Sequence, residues 1–187
     1  FRYILCSDVS DLSSVIFRQF AGNLLLSIIW KGRYHMILSE KERAVIEDLQ
    51  TQEKSCVEKY GRYAQQARDP ELKNLFQTLQ EKERTHFTSL ANVLNGQVPS
   101  CNCNDNSGHD YTPKATYSGL NDSEDKMQDA FLATDCIATE KLVSGEYNTD
   151  VFAFGSSDVR KLLADIQVEE QNHAEMLYKY KVANGMA

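Results

Sequence analysis

Glu83-Arg84-Thr85-His86 returns 87 residues later as Glu170-Gln171-Asn172-His173, and each copy stands 30 residues after a lone acidic residue, Glu53 in one case and Glu140 in the other. Residues three apart project from one face of a helix, so each Glu-x-x-His offers a carboxylate and an imidazole together. Four carboxylates and two imidazoles spread over four helices are the ligand set of a dinuclear metal site inside a bundle. The repeat extends beyond these six. At the same offset Lys54 matches Lys141, Tyr60 matches Tyr147, Leu75 matches Leu162, Gln80 matches Gln167 and Leu90 matches Leu177. Two copies at so long a period describe a pair of related helical hairpins, not a solenoid.

The flanking sequence marks four helices. Ser39-Glu40-Lys41-Glu42 is a capping box. Val45, Ile46, Leu49, Cys56, Tyr60 and Tyr63 then recur at helical spacing up to about Arg68. Asp69-Pro70-Glu71 supplies the cap, first residue and acidic first turn of a second helix, which carries Leu72, Leu75, Phe76, Leu79, Leu90 and Leu94 and stops at Asn95-Gly96. Residues 97–121 hold Pro99, Gly108, Pro113, Gly119 and many Asn, Asp and Ser, and read as a long loop. A third helix is expected from about Asp122 to Phe154, with Phe131, Ile137, Val143, Tyr147 and Val151 inward. After Gly155-Ser156-Ser157-Asp158, a fourth carries Val159, Leu162, Leu163, Ile166, Leu177 and Tyr180 to Asn184-Gly185. The expected domain is 36–187: hairpin 39–96, crossover 97–121, hairpin 122–185. One long connection between two hairpins is the ferritin-like order, so the fold class is an all-α, ferritin-like four-helix bundle.

Spacing also places the candidate ligands. Residues equidistant from the turn of an antiparallel hairpin lie level. The midpoint of 53 and 83 is 68, and that of 140 and 170 is 155, both at turns. Each pair lies roughly 22 Å from its turn at 1.5 Å per residue. The inward series Leu79, Glu83, His86, Leu90 and Ile166, Glu170, His173, Leu177 put the polar residues where apolar ones belong. Buried carboxylates must be paired or bind a cation, and two divalent ions neutralise four of them. Oxygen with imidazole suits two iron ions, or alternatively manganese or zinc. Tyr60 and Tyr147 follow the lone Glu residues by two turns; core packing is their expected role, with support of the metal ligands as the alternative. Glu58, Glu81, Glu146 and Glu169 read as solvated faces, with an extra or exchanging ligand as the alternative for one of them.

Other features exclude more than they assign. A net charge of -7 argues against nucleic acid or an anionic membrane as partner. Leu24-Leu25-Leu26-Ser27-Ile28-Ile29-Trp30 is too short to span a bilayer. Residues 1–35 show no sustained periodicity, and Lys31-Gly32-Arg33 can be encoded by a purine run resembling a ribosome-binding site. Translation is therefore expected to begin at Met36, with 1–35 read through from upstream sequence; a genuine extension that packs on the domain is the alternative. The five cysteines form no framework, which favours a reduced compartment. Cys101-x-Cys103 with His109 lacks paired Cys-x-x-Cys knuckles and reads as loop.

Over 39–185 these residues resemble the ferritin-like di-iron carboxylate proteins, the group that includes rubrerythrins. The resemblance implies Glu53 and Glu140 as the lone-helix ligands and Glu83/His86 and Glu170/His173 as the paired ones. The chain lacks a rubredoxin-type iron site, so a rubrerythrin-like supply of electrons is not implied. The texture of Ala138-Thr139-Glu140-Lys141-Leu142-Val143-Ser144-Gly145-Glu146-Tyr147 is closer to the coat-F family, as is that of Asp158–His173. Tyr178-Lys179-Tyr180 and Ala183-Asn184-Gly185-Met186 extend that likeness. Coat-F proteins are ferritin-like spore coat proteins of endospore-forming bacteria. The resemblance implies a spore coat protein made in the cytoplasm, associating with itself or with other coat proteins; many members of that family have a degenerate metal site, and the six intact inward residues of this chain add the expectation of a dinuclear iron or manganese site. A di-iron oxidoreductase acting on peroxide, oxygen or ferrous iron is the alternative. A metal-free assembly protein with a polar core is the second.

Overall fold

Ser39 opens the first helix, α1 (Glu40–Gln66), with the expected box: its hydroxyl accepts the Glu42 amide at 3.3 Å, and the Glu42 carboxylate accepts the Ser39 amide at 2.9 Å. Asp69 caps α2 (Pro70–Leu94), with Pro70 at a position that needs no amide donor. Ser123 caps α4 (Glu124–Asp150), which tightens into a 3-10 turn over Val151–Ala153. Ser156 caps α5 (Ser157–Ala183). Gly96 and Gly185 follow α2 and α5 at φ of 76° and 62°, the left-handed region that residues with a Cβ rarely adopt. The computed structural model describes residues 36–100, 105–117 and 123–187. The expected leader over 1–35, with Cys101 and Cys103, lies outside the described residues.

Each helix buries one stripe. That of α1 is Ile46, Leu49, Glu53, Cys56, Tyr60 and Ala64; that of α2 runs from Leu72 through Glu83 and His86 to Val93. α1 packs along α2 and α4 along α5, and the hairpins meet through α1 with α4 and α2 with α5. Side-chain contacts fix the directions. Along α1, Glu53 meets Tyr147 and Tyr60 meets Glu140, so α1 and α4 are antiparallel. Along α2, Glu83 meets His173 and His86 meets Glu169, so α2 and α5 are antiparallel too. It follows that α2 and α4 run parallel, and their connection must travel the length of the bundle. This is the four-helix bundle of two hairpins and a crossover that the sequence predicts.

The crossover is pinned to α5 as it goes. Asn172 Nδ2 donates to the Asp105 carbonyl at 2.9 Å, Lys179 Nζ to that of Gly108 at 2.6 Å, and the Asn184 side chain accepts from the Thr116 and Tyr117 amides at 2.8 and 3.0 Å. It contains a four-residue helix, α3 (Ser107–Asp110), where the sequence gives only loop. The reason is contact: a Cβ on Gly108 would lie 2.9 Å from Asn172 Oδ1, so glycine is what lets α3 sit on α5. At the far end, buried Asp129 accepts from the amides of Arg68 and Asp69 at 2.9 and 2.8 Å and from the Tyr117 hydroxyl at 2.7 Å, tying the α1–α2 turn to α4 and the crossover.

One core expectation fails. Phe131 is 64% exposed. The inward stripe of α4 is Asp129, Leu132, Ala133, Cys136, Glu140, Val143 and Tyr147, and Phe131 falls to its side. Small and polar residues occupy that seam, so apolar character alone misplaces it. Ile137 is partly buried against the core, Val143 and Tyr147 are buried, and Val151 is half-buried beyond the α-helix proper.

Candidate metal centre

Midway along the bundle the apolar stripes of all four helices are interrupted at one level. Glu53, Glu83, Glu140, Glu170, His86 and His173 are all buried there, none more than 2% exposed. They form two overlapping groups. Glu53, Glu83, His86 and Glu170 bring one donor atom each to within 4.8 Å of one another, and Glu83, Glu140, Glu170 and His173 do the same. Glu83 and Glu170 belong to both. The structure thus brings together all six residues singled out by the repeat.

The distances respect the repeat. His86 Nδ1 lies 3.0 Å from Glu170, 3.4 Å from Glu83 and 3.6 Å from Glu53. His173 Nδ1 lies 2.9 Å from Glu83, 3.7 Å from Glu170 and 3.6 Å from Glu140. Despite these short separations, Glu53 Oε2, both oxygens of Glu83 and Glu170, Glu140 Oε2 and both Nδ1 atoms make no hydrogen bond. Buried polar atoms left that way are costly, by about 1–3 kcal/mol each. Lone pairs converging on shared points without bonding one another are what a cation-binding set requires. The residues therefore fit a pair of metal ions: Glu53 and His86 would serve one, Glu140 and His173 the other, and Glu83 and Glu170 stand in both groups.

Two repeat-related tyrosines support the lone carboxylates in the same way. The Tyr60 hydroxyl donates to Glu140 Oε1, and the Tyr147 hydroxyl to Glu53 Oε1, each bond crossing from one hairpin to the other. Both tyrosines are also fully buried, so the packing role and the supporting role hold together. Burial, then the adjoining carboxylates, raise both phenols well above their usual range. They stay protonated and act as donors.

Charge in the metal-free cluster is balanced by protons. Burial pushes the Glu53 carboxyl up to about 8. Burial and the Glu170 charge raise Glu140 as well. Burial and Glu170 act in the same sense on Glu83, but His173 and His86 hold it below the ordinary range; Glu170 is likewise lowered against burial by the neighbouring Glu140 carboxyl and the two imidazoles. Burial disfavours charge on His86 and His173, yet the carboxylates around them win and raise both. Cations arriving here displace protons. Cys56 and Cys136 are buried free thiols near the cluster. Burial, then the carboxylates, push both thiols far up, which keeps them out of the thiolate form that binds metal.

At one residue the structure departs from the solvated face expected from sequence. Glu169 is not a solvated face residue: its side chain is 18% exposed and its Oε2 lies 2.9 Å from His86 Nε2. An outer carboxylate on Nε2 fixes the ring and leaves Nδ1 aimed at the cluster. Glu58 and Glu81 are exposed, and Glu146 is half-buried. His109 is exposed on α3 and pairs with Asp110.

The second half of this site lies on a recognisable segment. Residues 128–187 match the Coat F domain, a ferritin-like helical family. The Coat F segment takes in most of α4 and all of α5, and with them Glu140, Glu169, Glu170 and His173. No curated protein and no solved structure matches the chain. No helix among the described residues is long and apolar enough to cross a membrane.

Proposed function

We propose that this protein is a spore coat component whose bundle holds a dinuclear iron centre, with manganese as the alternative metal. The observation that carries the metal reading is the pair of overlapping, buried Glu/His clusters with Glu83 and Glu170 in common. Iron and manganese suit mixed carboxylate and imidazole donors, and such a pair of ions supplies redox chemistry toward peroxide or dioxygen. The chain's own residues do the rest. Glu169 orients His86, Tyr60 and Tyr147 hold the lone carboxylates, and burial of all six residues keeps bulk water from them.

The Coat F match supports the spore coat assignment, with synthesis in the cytoplasm before assembly. Assembly with itself or with other coat proteins is supported by exposed apolar side chains. Met127, Phe131, Leu142, Phe152, Val168, Tyr178 and Val182 are exposed, and all belong to the second hairpin, the one that carries the Coat F match. Surface of this kind is what association covers.

Protein purified without chelator from iron- and manganese-supplemented cells tests the metal reading. Elemental analysis is expected to find two iron or manganese ions per chain, and peroxide consumption should follow metal content. Absence of bound metal, with no uptake of ferrous iron under anaerobic conditions, would overturn it in favour of a metal-free polar core.

A further inference from the structure

Two surface grooves lie at equivalent places in the two hairpins, and only one of the two has candidate ligand residues in its lining. The groove between α4 and α5 has a volume of about 280 Å³ and is lined by Glu140, Lys141, Ser144, Glu170, Gln171 and Ala174. The groove between α1 and α2 is larger, about 370 Å³, and is lined by Lys54, Val57, Arg84, Phe87 and Thr88. The repeat relates them position by position: Ser144 stands for Val57, Gln171 for Arg84 and Ala174 for Phe87. In the first hairpin a branched side chain and an aromatic ring, Val57 and Phe87, line the groove, and neither Glu53 nor Glu83 does. In the second, a hydroxyl and a methyl occupy those positions, and both ligands do.

We propose that metal ions enter the dinuclear site through the α4–α5 groove, over Ser144 and Ala174, and that the α1–α2 side is closed by Val57 and Phe87. This rests on the metal reading above. The charges agree with it. Lys54 stands at the α1–α2 groove with Arg84, whose guanidinium pairs with Glu81, whereas Lys141 stands with an uncharged Gln171 at the other, so one fewer cationic side chain meets an arriving divalent ion there. The barrier across the open groove is slight. Gln171 Nε2 donates to Ser144 Oγ, and Ser144 Oγ to the Gln167 carbonyl, both at 3.3 Å, so both bonds are long.

The test is the rate of cobalt(II) uptake by the metal-free full chain, followed by visible absorption after rapid mixing. A variant carrying Ser144→Val with Ala174→Phe copies the closed hairpin. It should load roughly tenfold more slowly or worse, a change of about 1.4 kcal/mol in barrier, and reach the same final stoichiometry. Adding Val57→Ser with Phe87→Ala opens the other side and should restore the rate. Because larger side chains can disturb folding, Gln171→Arg serves as a surface variant. It should slow loading, with the deficit shrinking as salt is raised. Loading of both closed variants at the native rate would overturn the entry route while leaving the metal site standing. Failure of the native protein to bind cobalt at all would remove the site, and the route with it.

Discussion

His86, on the first hairpin, is held by an outer carboxylate that reaches it from the second, Glu169; His173 makes no hydrogen bond through Nε2. The repeat explains the difference, since the position matching Glu169 is Lys82, which lies 3.7 Å from Asp105 of the crossover instead. The first hairpin lines its groove with Val57 and Phe87, and the second lines its groove with Ser144 and Ala174 together with Glu140 and Glu170. With Ile37 apart, the exposed large apolar residues also sit on the second. The repeat keeps the six inner residues and the crossed tyrosines while their surroundings differ. The two candidate ligand clusters are therefore alike in their residues and unlike in what surrounds them.

The largest expected effect separates shared from terminal ligands. Glu83→Ala or Glu170→Ala removes a donor common to both clusters and should bring bound metal from two ions to fewer than one. Loss of His86 or His173 to Ala should leave one. Equal losses in all four variants, by elemental analysis, would show that the sharing is wrong.

A pH series sharpens the same comparison. Raised carboxyls such as Glu53 and Glu140 stabilise the metal-free fold fully below their unfolded value of 4.5, and that contribution is lost as pH rises, for Glu53 through about 8. The raised imidazoles act likewise above 6.5. Glu83 and Glu170 act oppositely, but only below 4.5. The metal-free Tm should therefore fall by several degrees from mildly acid pH to pH 8, while the Tm gain on adding manganese grows over that range. A gain that does not depend on pH would mean metal does not displace these protons.

Smaller effects follow outside the ligand set. Glu169→Gln should weaken one of the two ions by about 10–100-fold in a stepwise titration, whereas Lys82→Met should leave both nearly unchanged. Similar effects of the two changes would erase the asymmetry. Tyr60→Phe and Tyr147→Phe should each cost about 1–3 kcal/mol in the metal-free protein, since each leaves a buried carboxylate oxygen without a donor. The two losses should agree, because the bonds are equivalent.

Most of this molecule was legible in its sequence for local reasons. Ser39 with Glu42 and Asp69 with Pro70 act within a single turn, and the level of the six ligands follows from counting residues to a hairpin turn. What was not legible depends on neighbours across helices. Tyr60 could be placed on the inward stripe, but its partner Glu140 is known only once α1 and α4 are seen to pack antiparallel. Glu169 lies one position from a ligand and so points elsewhere, and nothing local says that His86 waits there. Phe131 misled because α4 buries Asp129, Ala133 and Cys136 along its seam. The open groove was written in the repeat at Ser144 and Ala174, yet only packing shows that these positions stand over Glu140 and Glu170.

The most direct test is anomalous diffraction at the iron edge from crystals grown with ferrous iron under anaerobic conditions. Two peaks about 3.5–4 Å apart, between Glu83 and Glu170, with His86 beside one and His173 beside the other, are expected. A single peak, or iron bound only away from these side chains, would contradict the dinuclear centre.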